Sequence, residues 1–153
     1  MKTSQLFKRT FSSLAIGIAL NACGVPYQAS GGFGMGGYSS RELGNNTLEV
    51  SYLTGRSADT GTIKHYVMYR SAELAQEHGF EAFRLLNLSG YSVGGAYGTT
   101  SSVTAKIALL HPDTAERQRA ETRKLFLGAG IYQKAEIYLA AEIMEKLEKR
   151  IQR

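Results

Sequence analysis

Apolar and polar positions alternate most cleanly from Thr47, where Leu48, Val50 and Tyr52 are interleaved with Thr47, Glu49 and Ser51. A period of two predicts a half-buried strand over 47–54, closed by a turn at Gly55. The period then lengthens: at about 100° per residue, Ile63, Val67, Ser71, Leu74 and His78 fall within about 40° of one meridian. The spacing predicts a helix over 61–78, with Gly79 as its C-terminal stop. Phe80 to Leu88 is apolar again and predicts a second strand over 80–88. Strand, helix and strand in that order favour a βαβ unit with parallel strands and a right-handed crossover.

Ser89 to Gly98 carries Gly90, Gly94, Gly95 and Gly98 and reads as a loop between strands. Val103, Ala105, Ile107 and Leu109 then alternate with their neighbours, a third strand over 101–110 that His111-Pro112-Asp113 ends. Thr114 to Lys124 is polar and reads as helix, with Leu125-Phe126-Leu127 open to an extended reading. Over 133–152, Ile137, Ala140, Met144, Leu147 and Ile151 recur at steps of three and four, with Glu142/Lys146 and Glu145/Lys149 as favourable pairs four apart. Two heptads are short for a coiled coil, so this helix is expected to pack on the sheet.

Upstream of Thr47 no hydrophobic period is visible, and five of the seven residues 31–37 are Gly. Such a stretch gains little burial for the backbone entropy it would lose, so 23–46 is expected to be a flexible tether. A linker of about 17 residues would reach roughly 23 Å. Gly32 to Gly37 matches G-x-G-x-x-G literally, but no strand precedes it and no helix follows, so it is not read as a phosphate cradle. The expected architecture is α+β in the order β-α-β-β-α. A small mixed sheet of three or four strands carries the helices, in one domain over 47–153.

The first 22 residues are of another kind. Lys2, Lys8 and Arg9 precede the apolar run Phe11 to Leu20, then come Asn21, Ala22 and Cys23. A basic start, a short apolar run and a small residue before the cut are the anatomy of an export signal. A membrane span needs about 20 apolar residues, and Ser12, Ser13 and Asn21 interrupt or end this run. Leu20-Asn21-Ala22-Cys23 resembles the lipobox of bacterial lipoproteins, which implies cleavage between Ala22 and Cys23 and acylation of the thiol. Gly24, where Asp would favour inner-membrane retention, implies the outer membrane by the same resemblance. The chain is 153 residues long with a net charge of +5, and removing the first 22, with three cations and no acid, leaves 15 basic against 13 acidic residues. That balance does not suggest a nucleic-acid partner. Cys23 is the only cysteine, which excludes a disulfide scaffold.

Further stretches carry a family resemblance. They are Pro26-Tyr27-Gln28, the Gly-rich run into Gly37-Tyr38-Ser39, Leu48 to Tyr52 with Gly55, and Tyr69-Arg70-Ser71-Ala72-Glu73-Leu74 followed by Gly79-Phe80. Thr99-Thr100-Ser101 through Ala105-Lys106-Ile107 and the ending Lys149-Arg150-Ile151 belong with them. Together these are similar to the CC0125/CC1285-type lipoproteins of proteobacteria over most of the chain beyond Cys23. The resemblance implies a lipid anchor and a shared fold, and it brings no activity to carry over.

Candidate chemistry is sparse. His65 and His78 stand about 220° apart around the helix and cannot chelate one metal, and His78 is read as a packing or capping residue. His65 with Asp59, or His111 with Asp113, is the raw material for a small hydrolase, but neither G-x-S-x-G nor H-E-x-x-H is present. Arg70 borders the helix's apolar face with Tyr66, Glu73 and Glu77, a cluster that fits ion pairing and ring contact, or alternatively an anion contact. Tyr27, Tyr38, Tyr91 and Tyr97 are read as loop aromatics suited to contact. No catalytic residue, metal or cofactor is expected. The expected role is a non-catalytic accessory or binding domain, held to a bilayer by Cys23 on the periplasmic side and meeting an envelope protein or cell-wall component. A His65 or His111 hydrolase is the alternative.

Overall fold

A computed structural model describes residues 25–31, 36–55, 58–95, 98–113, 116–117, 132–134 and 136–151. The signal segment with Ala22 and Cys23, Gly32 to Met35, Tyr97, Leu125 to Leu127 and nearly all of the expected helix over 114–124 lie outside the described residues. In chain order the elements are β1 (Gly37–Gly44), β2 (Thr47–Thr54), α1 (Thr60–Glu77), β3 (Ala82–Gly95), β4 (Gly98–Leu110), β5 (Ile137–Leu139) and α2 (Ala140–Leu147), followed by a 3₁₀ turn Glu148–Arg150. The strands form one sheet in the order β1-β2-β4-β3-β5, and every neighbouring pair is antiparallel. The protein is α+β, with five described strands where three or four were expected.

α1 forms where the period predicts it. The Asp59 carboxylate accepts from the Thr62 N–H at 3.1 Å and caps the first turn, and Gly79 at φ 77° ends the helix beyond the His78 cap. Its buried face is broader than the predicted stripe and includes Tyr66, Met68, Tyr69, Ala72 and Ala75 besides Ile63, Val67, Ser71 and Leu74. His78 is instead exposed: its backbone N–H caps, to Leu74, while its ring lies 3.8 Å from the Glu42 carboxylate of β1. Val50, Tyr52, Phe83, Leu85, Val103, Ala105 and Ile107 supply the sheet side of the core, each with no more than a trace of exposure.

The parallel pairing of a βαβ unit is not present. β2 and β3 do run the same way, but β4 lies between them and is antiparallel to both. The tight β3–β4 hairpin, with Gly95 opposite Gly98, costs little loop-closure entropy and brings Val103, Ala105 and Ile107 beside Tyr52, Val50 and Leu48. That hairpin also corrects the reading of 89–98 as a loop. Tyr91, Ser92 and Val93 are paired with Ser102, Ser101 and Thr100, so the strand carries on through its glycines.

Two further expectations change at the ends of the domain. Ordered structure begins well before Thr47: β1 pairs with β2 from Gly37↔Leu53 to Gly44↔Thr47. Asn45 (φ 50°) and Asn46 (φ 54°) give the pair of positive φ values that a type I′ connection requires. At the other end, the predicted helix over 133–152 is divided. Ile137–Leu139 pairs with Ala82–Arg84 on the edge of β3, and Tyr138 stacks on Phe83 at 5.7 Å. A helix through Ile137 would leave that edge backbone without partners. α2 accordingly starts at Ala140 and buries Ala140, Ile143 and Leu147, with Met144 and Ile151 at the margin.

Candidate functional site

The densest polar and aromatic assembly lies where residues 25–31 cross α1, β1 and β2. This strap bonds to β1 from both sides of Ala29: the Tyr38 N–H donates to the Gln28 carbonyl and the Ser30 N–H to the Tyr38 carbonyl, each at 2.8 Å. Its start is fastened from below. The Tyr66 hydroxyl donates to the Val25 carbonyl at 2.6 Å and the Tyr52 hydroxyl to the Pro26 carbonyl at 2.5 Å. Val25 and Tyr27 are themselves buried, so 25–31 is part of the core rather than a tether.

Glycines allow the backbones to come this close, the strap at Gly37 and the end of β2 at Gly36. A Cβ at Gly37 would stand 2.6 Å from the backbone of Ala29, and one at Gly36 would stand 2.3 Å from the Leu53 carbonyl oxygen. These two residues are bare because another chain segment lies against them.

Around Tyr27 the sequence-predicted cluster is found, rearranged. Arg70 binds Glu73 at 2.9 Å and grips Glu77 with two nitrogens at 2.7 and 3.1 Å. Tyr27 donates its hydroxyl to the same Glu73 oxygen at 2.5 Å. The ring under the guanidinium is Tyr38, 4.9 Å away, and not Tyr66. Tyr66 turns inward and packs edge-on against Tyr27 and Tyr52 at 5.5 and 5.3 Å. Tyr27 meets Tyr38 at 4.8 Å and Tyr69 at 5.4 Å. Burial alone would lower the Arg70 pKa, but the hydrogen bonds it donates to Glu77 and Glu73 outweigh it and hold the charge firmly. Burial, and then the bond to Glu73, pushes the Tyr27 hydroxyl well above the ordinary phenol range.

The cluster thus joins a cation, two carboxylates and a phenol that stays protonated. Its chemistry is that of a clasp: one guanidinium neutralises two acids, and one of those acids holds the strap. Arg70 Nε is buried without an acceptor among the described residues. Helical spacing predicts Arg70, Glu73 and Glu77 as a group. It does not reveal Tyr38, Tyr52, Tyr69 or the strap as partners. The alternation of Val25 and Tyr27 with Pro26 and Gln28 was the local signal available.

The two histidine–aspartate combinations are not assembled as dyads. Asp59 serves the α1 cap, and His65 faces Tyr132 edge-on at 6.1 Å with Arg150 at 3.4 Å from Nε2. Burial, and then Arg150, lowers the His65 pKa against a weaker opposing pull from Asp59. Asp113 accepts from the Glu116 N–H at 2.8 Å while Glu116 accepts from the Asp113 N–H at 3.2 Å, a reciprocal capping box. His111 stacks on Phe80 at 5.0 Å, 3.8 Å from a Glu81 carboxylate that also binds Arg117. Among the described residues no group of three or more His, Cys, Asp or Glu could hold a metal ion, and no helix is long and apolar enough to cross a membrane. No family model, curated protein or solved structure matches the chain.

Proposed function

We propose that the protein is a lipoprotein of the bacterial cell envelope, acylated on Cys23, whose domain serves as a non-catalytic accessory or binding module on the periplasmic side. The reading rests first on the basic, apolar and Leu20-to-Cys23 segments in succession, and on the resemblance to the CC0125/CC1285-type lipoproteins. From the structure, it is supported by Val25: only two residues beyond the proposed acylated cysteine, it is buried and hydrogen-bonded, so the fastened part of the domain reaches to within two residues of the proposed anchor. Gly24 favours the outer membrane within this reading.

The non-catalytic part is supported by how the candidate groups are spent. Asp59 and Asp113 cap helical turns, and Glu73 and Glu77 are both ion-paired with Arg70. The test is acylation and fractionation of wild type against Cys23→Ala. Wild-type protein is expected in the membrane fraction with an acylated N-terminal peptide, and the variant as uncut precursor without acyl mass. Equal partition of both into buffer overturns the anchor. Loss of complementation by His65→Ala or His111→Ala, with abundance and membrane localisation intact, returns the hydrolase reading.

A further inference from the structure

The fastened strap limits where the proposed anchor can lie. Two residue steps span at most about 7 Å, so Cys23 stays within that distance of the fixed Val25. The parallel bridge Ala29↔Tyr38 sets the direction of the strap: going back from Ala29 to Val25, it runs past the β1 start at Gly37. That end of the sheet also carries the end of β2 at Thr54, the start of α1 at Thr60 and the tip of the β3–β4 hairpin. The hairpin passes beyond the Thr54↔Ser101 row by residues 93–95 and 98–100, a projection of about 10 Å.

The exposed apolar side chains gather there. Four large hydrophobic residues are exposed among those described, and three of them, Leu53 (48%), Tyr91 (56%) and Val93 (59%), belong to this end. Leu53 and Tyr91 both oppose Ser102, so they share one sheet face, and Val93 follows Tyr91 on that face two residues nearer the tip. On the helix side of β3, Lys64 and Lys134 line a cavity of about 390 Å³ that has no carboxylate among its described lining residues.

We infer that this end, with Leu53 on β2, Tyr91 and Val93 on the hairpin and Lys64 near the start of α1, is the face that docks on the bilayer. The inference rests on acylation of Cys23 and deepens that reading: the domain is seated against the membrane, not suspended from it. Three side chains on a narrow ribbon are too small a patch for a stable protein interface, which takes about 800 Å² per partner. A bilayer to which the chain is already held asks far less of each contact, because tethering raises the effective concentration. Tyr91 presents an apolar ring with a polar tip, the kind of side chain that settles at headgroup level, and the Lys64 ammonium matches anionic headgroups.

The experiment uses acylated mature protein in vesicles of phosphatidylethanolamine and phosphatidylglycerol. Acylation consumes the Cys23 thiol, so Val93→Cys and Leu43→Cys each introduce one thiol for a fluorophore, at opposite ends of the sheet. A nitroxide carried on the lipid is expected to quench the label at position 93 several-fold more than the label at 43. Adding Tyr91→Ser to the Val93→Cys protein is expected to reduce that difference while the protein stays vesicle-bound. Equal quenching at both positions in a preparation with verified acyl mass overturns the docking alone. An N-terminal peptide without acyl mass overturns the anchor, and the docking with it.

Discussion

Arg70 is the residue on which the strap, β1 and α1 converge, since it binds Glu73 and Glu77 and lies over Tyr38. Its side chain is only 15% exposed, which separates it from an ordinary surface ion pair. Truncation would leave Glu73 partly buried with only the Tyr27 hydroxyl among its clasp partners. Arg70→Ala is therefore expected to destabilise the fold by about 2–4 kcal/mol, measured by denaturant unfolding. Arg70→Lys keeps the charge but not the two-pronged grip on Glu77, and is expected to cost less, about 1–2 kcal/mol. Equal stability of all three proteins would show that the clasp is ornamental.

At the scale of elements, the strap and β1 depend on close backbone approach. Gly37→Ala places a methyl 2.6 Å from the Ala29 backbone, where no flexible side chain can yield. The expected cost is about 1–3 kcal/mol, the usual range for overpacking. Limited proteolysis supplies the second readout: residues 25–31 should resist cleavage in wild type and become an early site in the variant. Gly31 has nothing within 4 Å of a built Cβ and no positive φ, so Gly31→Ala is the matched control and is expected to leave both measurements unchanged. Early cleavage of wild type within 25–31 would refute the fastened strap.

For the whole molecule, buried phenols link stability to alkaline pH. Burial, with a smaller push from Tyr66, raises Tyr52 from 10.0 to about 12, and burial raises Tyr27 and Tyr132 further. In the unfolded chain these hydroxyls ionise near pH 10 while the folded protein still holds their protons, so above that pH the unfolded state binds fewer protons. Stability is thus complete below about pH 10 and is lost as pH rises through the folded value of Tyr52. The absorbance contributed by these three phenolates is expected to lag until unfolding and then rise in one cooperative step. Smooth titration of all nine tyrosines near pH 10, without loss of structure, would contradict the burial described here.

What the sequence by itself determined is what local periodicity and capping determine. α1, with Asp59 before it and Gly79 after it, β2 and the body of β4 carry their own pattern, and the steps of three and four from Arg70 to Glu73 and Glu77 follow from helical geometry alone. Tertiary structure decided the rest. Glycine looks the same in a sequence whether it frees the chain or makes room for it, and only the end of β2 against Gly36 and the strap against Gly37 show that these two make room. Period cannot say which strands are neighbours, so the insertion of β4 between β2 and β3 awaited the whole sheet. Ile137 to Leu139 fit either a helix or a strand by composition, and the open edge of β3 chose strand because its backbone groups had to be paired.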